Sequence, residues 1–345
     1  MIDPRDLDTC TEMIRHGSLS FHAASKLLPR RVREPALALY AFCRLADDEV
    51  DLKADKTRSV LRLRDRLDLV YQGRPENAAP DRAFAAVVDD CDMPRALPDA
   101  LLEGLAWDAD HRTYATISEV RDYSARVASA VGAMMCVLMG VRDAHALARA
   151  CDLGVAMQLT NIARDVGEDA LEQRLYLPTD WLEEAGITPE AFFADPRPTK
   201  AVRAMVRRLV MEANRLYYRS EAGISALPHG CRPGIFAARF IYAGIAGRLT
   251  GLGFDSISSR ARTTKAQKLG WLAQSVATTG VSLAMPQSAV LYAPPLDEVR
   301  FLVDATAHEA PPSRSETLFE ALANLEAKAR MDQAALIKAN APLRP

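Results

Sequence analysis

Helical periodicity recurs in nearly every stretch of the chain longer than a dozen residues, whereas alternating Val/Ile/Thr runs between turn residues are almost absent. The spacing predicts helices near 4–16, 35–53, 57–72, 80–91, 97–110, 117–140, 143–169, 188–193, 197–226, 232–252, 264–283 and 315–339. The expected fold class is all-α. Gly/Pro/Asn-rich breaks at 73–80, 178–189, 194–198 and 228–233 read as turns between packed helices rather than as interdomain linkers. With no internal repeat, residues 1–286 are expected to form a single domain.

The last part of the chain reads differently. Met285-Pro286, Pro294-Pro295 and Pro311-Pro312-Ser313 predict a mobile connection, followed by a helix with Leu318, Leu322, Leu325 and Ala329 on one face. Residues 287–345 are therefore expected to be a C-terminal extension carrying an amphipathic helix. Its acids (Glu316, Glu320, Glu326, Asp332) slightly outnumber its bases (Lys328, Arg330, Lys338), so packing on protein is expected there rather than burial in a lipid surface.

Composition narrows the class. Of 345 residues 49% are hydrophobic and 26% charged, as in a globular helical protein, and the formal net charge of -2 offers no broad basic field for nucleic acid. The six cysteines form no CxxC pair, so they suggest reduced thiols rather than a zinc site or disulfides. The N-terminal residues lack a secretory pattern, and the longest apolar run, 127–141, is too short for a bilayer span and is interrupted by Ser129. The expected location is the cytoplasm. No obligate protein partner is evident.

Two helices carry carboxylates where apolar residues belong. The segment from Ala36 to Asp51 begins apolar and ends in Asp47, Asp48, Glu49 and Asp51, at the end where the helix dipole disfavours negative charge. Asp47 and Asp51 are one turn apart on one face, a destabilising pair unless a cation lies between them. This end is either a divalent-metal site or a solvated helix terminus with Asp48 paired to Arg44. In the second helix Gly154, Gln158, Asn161, Asp165 and Asp169 form a polar stripe, while Leu153, Val155, Met157, Leu159, Ile162 and Val166 fill the other faces. Such a stripe needs a metal, a phosphate, water or neighbouring polar groups as partner. Oxygen-only donors suit magnesium, which is commonly shared between carboxylates and a diphosphate. Arg44, Arg164 and Arg174 flank the clusters and would neutralise that anion. No Walker loop or GxGxxG turn is present.

At these residues the chain resembles the squalene/phytoene synthase family of trans head-to-head prenyl synthases. The resemblance runs through Ser20 to Pro29, Tyr40 to Asp51, Gln158 to Ala170, Arg174 to Pro178, Glu221 to Ile224 and Ala238 to Tyr242, spanning roughly residues 18–270. It implies a single isoprenoid-synthase-type helical bundle around a central cavity. Asp47, Asp51, Asn161, Asp165 and Asp169 would hold Mg2+ or Mn2+. Ser18, Phe21, Tyr40, Asp48, Gln158 and Arg174 would contact substrate, Arg44, Arg164, Tyr176 and Tyr242 would act in catalysis, and Val127, Val131, Met134 and Met135 would line a tunnel for the isoprenoid tails.

The implied reaction joins two geranylgeranyl diphosphates through prephytoene diphosphate to phytoene, a step of carotenoid biosynthesis. Alternatives are a squalene-type synthase using farnesyl diphosphate and a non-catalytic assembly factor of the same fold. Both acidic clusters are intact, which opposes the last. Where several relatives carry extra aromatics after the tyrosine matching Tyr123, this chain has Ser124-Ala125-Arg126, which leaves Tyr176 and Tyr242 as alternatives for handling the proton or the cation, or the diphosphate by-product as the base with no protein base at all. The lipid nature of the substrate further implies transient docking at the inner membrane face.

Overall fold

The protein is described here as a computed structural model covering residues 2–17, 19–51 and 56–307, with the side chains of Asp47 and Asp51 outside the described set. One compact unit extends through Ala307. It is helical with no strand among the described residues. The order is α1 Pro4–Gly17, α2 Leu19–Ser25, α3 Arg30–Asp51, α4 Lys56–Tyr71, α5 Ala79–Cys91, α6 Ala96–Ala109, α7 Ile117–Ser124 and α8 Ala130–Leu138. It continues with α9 Ala144–Leu171, α10 Thr179–Glu184, α11 Pro189–Ala194, α12 Lys200–Ile224, α13 Arg232–Gly251, α14 Lys265–Ala284 and α15 Arg300–Thr306.

Local chemistry sets the helix ends. Asp143 accepts the Ala146 N–H at 2.8 Å to start α9, and Thr199 accepts the Val202 N–H at 3.2 Å to start α12. Thr264 and Gln267 form a capping box at the start of α14. The predicted start of α3 at Pro35 is one turn late. Pro35 lies inside the helix, which begins at Arg30 because Pro29 offers its carbonyl to the N–H groups of Val32 and Arg33 at 2.9 and 2.8 Å. The sequence pattern missed α2, α10 and α15, each two turns or less and too short to show periodicity.

The helix α9 lies at the centre, packed along α12 and also against α8, α13 and α15. Leu147, Cys151, Val155, Leu159, Ile162, Ala163 and Val166 on α9 join Leu209, Ala213 and Leu216 of α12 in one buried core. The predicted helix over 117–140 is α7 and α8 joined by a π-helical turn, Ala125–Ser129. Gly154 of α9 is what admits that turn. A Cβ there would lie 2.6 Å from Ser129 Cα, and the Ser129 hydroxyl donates to the Cys151 carbonyl at 2.7 Å.

The expected mobile stretch after Met285 is tied down as far as Ala307. The Arg149 guanidinium donates to the Val290 and Pro294 carbonyls at 2.8 and 3.3 Å, and Arg219 donates to Pro294 at 2.9 Å. Asp152, fully buried with Arg149, bridges the two arginines at 2.8 and 3.0 Å. Arg121 adds a tie from Glu212 at 2.8 Å to Glu298 at 3.4 Å. Proline lacks an N–H but keeps its carbonyl, and the Pro294 carbonyl accepts from both Arg149 and Arg219. The amphipathic helix expected over 315–339 lies outside the described residues.

Candidate active site

The polar stripe of α9 forms one wall of the site. Gln158, Asn161, Asp165 and Asp169 are all half-buried, and the Asn161 amide N–H donates to Gln158 Oε1 at 3.3 Å. Gly154, at the head of the stripe, serves the contact with the π turn and offers no donor of its own.

Asp165 is held from two sides. Arg164 Nε donates to Oδ1 at 2.8 Å, and so does Arg260 Nε at 2.8 Å, while Arg260 Nη1 pairs with Glu168 at 2.9 Å. The sequence reading missed Arg260, which lies ninety-five positions away. A signal was present in Gly167. Its N–H donates to the Ser256 carbonyl at 3.1 Å, and a Cβ would lie 2.9 Å from Ile257 Cα, so only glycine lets the 253–261 loop lie on α9 and bring Arg260 to Asp165. Asp255 shapes that loop by accepting the Ile257 and Ser258 N–H groups at 3.1 and 2.9 Å.

Beyond Asp165 lies a cleft of about 260 Å³ lined by Arg164, Ile245, Arg260, Ala261, Arg262, Thr263 and Lys268. Four cationic side chains around one opening suit a diphosphate.

Asp169, one turn further along α9, is in the opposite state. Burial, with the Asp165 charge nearby, pushes its carboxyl up to about 8 even though Arg174 opposes the shift. No hydrogen bond from a described residue reaches that carboxyl group. A buried carboxylate without a donor is costly, and a cation beside it would reverse the sign. The donors gathered on this face are amide and carboxylate oxygens, which fit a hard divalent ion. Among the described residues no three His, Cys, Asp or Glu side chains converge on one point; the first cluster would have to supply the rest, and its Asp47 and Asp51 side chains are not described.

On α3, Arg44 pairs with Asp48 at 2.6 Å, as the solvated-terminus reading expects for Asp48. One turn earlier Tyr40 stacks on Phe21 of α2 with ring centroids 5.3 Å apart. Ser18 lies outside the described residues. Arg174 and Tyr176 follow α9 and, with Asp169, Ile162, Val166 and Phe192, line a small hollow. Tyr242 of α13 lies within electrostatic reach of Arg164 and Asp165. Val127 and Val131 are half-buried, and Met134 and Met135 are buried, in α8 and the turn before it.

Tyr123, Tyr176 and Asp108 make a unit that the sequence did not reveal. The rings of Tyr123 and Tyr176 stack at 5.1 Å, and both hydroxyls donate to Asp108, at 2.9 and 2.6 Å. Tyr114 packs on both rings at 5.3 and 6.2 Å. Burial, followed by the Asp108 charge, pushes both phenols well above their ordinary range. They are donors and π faces at any physiological pH.

Comparison with known proteins bears on the same residues. The family model for squalene/phytoene synthase matches residues 14–267. The chain is 60% identical over 341 residues to a phytoene synthase of Cereibacter sphaeroides, covering 96% of each chain. It is 57% identical over 334 residues to a phytoene synthase of Rhodobacter capsulatus, covering 96% of this chain and 98% of that one. Among solved structures it resembles a dehydrosqualene synthase in complex with ligand, with TM-score 0.74 and 28% identity over 80% of this chain and 97% of that one. Prenyl synthases of this family and fold generally use divalent metal ions. With the match covering most of its length, this chain belongs to the squalene/phytoene synthase family, as its two aspartate motifs led one to expect.

Proposed function

We propose that this enzyme, a prenyltransferase acting on prenyl diphosphates, joins two geranylgeranyl diphosphates head to head and rearranges the prephytoene diphosphate so formed to phytoene. The support for the twenty-carbon substrate is the high identity to phytoene synthases over almost the full length of the chain. Within the site, the single observation that carries the reading is the juxtaposition of the Asp165–Asp169 face with the cleft of Arg164, Arg260, Arg262 and Lys268.

Asn161, Asp165 and Asp169, with Asp47 and Asp51 of the first motif, would hold Mg2+ or Mn2+. When bound, such ions neutralise charge on the departing diphosphate as Lewis acids. The chain's own residues do the remainder. Arg164 and Arg260, now engaged with Asp165, would turn to the diphosphate once that carboxylate is neutralised otherwise, so the leaving group meets fixed donors. Gln158 lies on the same wall, Arg174 lies beside Asp169 and Arg44 beside the first motif, and Tyr40 with Phe21 offers an aromatic wall for a prenyl tail.

Departure of the first diphosphate leaves an allylic cation, the double bond of the second molecule attacks it, and loss of a first proton closes the cyclopropane ring of prephytoene diphosphate. Tyr176 and Tyr123 present stacked π faces whose electron density is reinforced by the Asp108 carboxylate at their hydroxyls, an arrangement that stabilises a passing carbocation. Loss of the second diphosphate from prephytoene diphosphate, rearrangement of the cyclopropane and loss of one proton give phytoene. Tyr176 stays protonated and hydrogen-bonded, and burial raises the Tyr242 phenol as well, so neither serves as the base. The released diphosphate, a basic oxyanion held by the arginines, is the acceptor consistent with this site. An apolar enclosure around the reacting carbons would keep water from quenching the cation.

The test is product analysis by mass spectrometry with magnesium and both geranylgeranyl and farnesyl diphosphates on offer. A phosphate-free forty-carbon hydrocarbon is expected. Turnover of farnesyl diphosphate alone would overturn the assignment.

A further inference from the structure

Helix α14 is built inside out. Its inward face, packed on α13, carries Trp271, whose ring fills the space over Gly244, together with the buried Ser275 and Thr279 and with Ser282, which accepts from Arg232 at 3.3 Å. Its outward face is apolar. Leu269, Val276 and Leu283 lie seven residues apart along one flank and are 69%, 55% and 56% exposed; Val281, at 57%, lies on the other flank. Between the flanks are only Ala266, Gly270, Ala273, Ala277, Gly280 and Ala284, and Met285 follows, 65% exposed. A surface helix normally shows the reverse arrangement. No helix of the described residues is long and apolar enough to cross a membrane, so this face is not a misread span.

The charge pattern says what the face meets. From Ser256 to Leu296 the chain has no Asp or Glu, in a protein with 45 of them, while Arg260, Arg262, Lys265 and Lys268 cluster at the start of α14. Three of these four also line the cationic cleft, so the apolar face begins at the opening where a prenyl diphosphate would enter. Helix α14 carries no acid itself, so a second copy's α14 seated on it would offer these cations none. Anionic lipid headgroups would. An apolar helix face with bases at one end is the pattern of a helix lying in a membrane surface.

We propose that the outward face of α14 docks on an anionic lipid surface through Leu269, Val276, Val281 and Leu283, with Arg262 and Lys265 on the headgroups, so that the cleft opens toward the bilayer. The link to substrate delivery rests on the proposed function; the docking itself does not. A prenyl diphosphate is a lipid with a charged head, and a forty-carbon hydrocarbon product has no polar group to carry it into water. Both partition to a bilayer.

The test uses the full chain and vesicles of phosphatidylcholine with and without phosphatidylglycerol, read by co-sedimentation in the absence of substrate. The wild type is expected to sediment with the anionic vesicles. The triple variant Leu269→Glu/Val276→Glu/Leu283→Glu is expected to lose that binding while keeping its turnover of detergent-dispersed substrate. Lys265→Glu is a milder second variant, expected to weaken partition by roughly fivefold or more, the scale for one basic residue at an anionic surface. Wild-type sedimentation by the triple variant, or no sedimentation by the wild type, would overturn the proposal. So would a wild-type dimer that the triple substitution converts to a monomer without any vesicle binding, which would make the face an interface between copies. Vesicle binding without production of a forty-carbon hydrocarbon would refute the proposed reaction and leave the docking surface standing.

Discussion

Tyr176 and Tyr123 stack at 5.1 Å and share one acceptor, the carboxylate of Asp108. The two phenols come from the segment after α9 and from α7, so Asp108, near the end of α6, fixes three parts of the chain at one point. Asp108→Asn replaces one accepting oxygen by an amide that can only donate, against a hydroxyl that also donates. The expected outcome is a loss of kcat on the order of a hundredfold to a thousandfold, the scale for losing one fixed electrostatic contact in a site. Substrate KM should change little. Turnover at the wild-type rate would show that the unit is only structural.

Asp165 neutralises Arg164 and Arg260. Asp165→Asn should abolish turnover while leaving the far-ultraviolet circular dichroism unchanged. Because both arginines are released, the variant should also bind inorganic diphosphate more tightly than wild type in the absence of added metal. Titration calorimetry would measure this. Asp47→Asn should likewise lose turnover in a folded protein, whereas wild-type rates in either variant would remove that residue from the metal site.

Gly167 has no room for a side chain against the backbone of Ser256 and Ile257. Gly167→Ala must push the 253–261 loop off α9, at a cost of about 1–3 kcal/mol of stability for overpacking. Arg260 would move with the loop. The variant should therefore share with Arg260→Ala a raised KM, and it alone should show a lowered unfolding temperature.

Glu212 gives a dependence on acid. Burial alone would raise its carboxyl, but the hydrogen bonds and charges of Arg215 and Arg121 outweigh burial and hold it below its ordinary value of 4.5. A depressed folded-state value means the stabilisation is fully present above the unfolded value and is lost as pH falls through the folded one. The stability difference between wild type and Glu212→Gln should be constant from neutral pH down to about 4.5 and shrink below it. Denaturant unfolding across that range would decide. A difference that grows on acidification would contradict the assignment.

The architecture was legible because long helices with one apolar face repeat their signal over several turns. The wall formed by α9 was legible for the same reason, since Gln158, Asn161, Asp165 and Asp169 lie on one helix and keep its period. Arg260 and Asp108 were not. Each meets its partners only through the packing of separate segments, and nothing in local spacing reports that Arg260 faces Asp165 or that Asp108 lies beneath two tyrosines. The fastening of residues 288–298 was hidden for a related reason: prolines suggest mobility, while the arginines that hold the Val290 and Pro294 carbonyls and the Glu298 carboxylate sit on α9, α12 and α7.

The π turn at Ala125–Ser129 has a bearing on how such a chain can vary in length. A π turn takes up one residue more than an α turn in making nearly the same circuit, so the two ends of the joined helix need not be a whole number of α turns apart. Tyr123 can keep its alignment with Asp108 while Gly132 stays against the Ala150 carbonyl of α9, each registered independently of the other. A related chain one residue shorter here could run as unbroken α-helix and present the same two faces. The turn is thus a slack link, at which the spacing between the aromatic unit and the buried methionines can drift without either losing its neighbours.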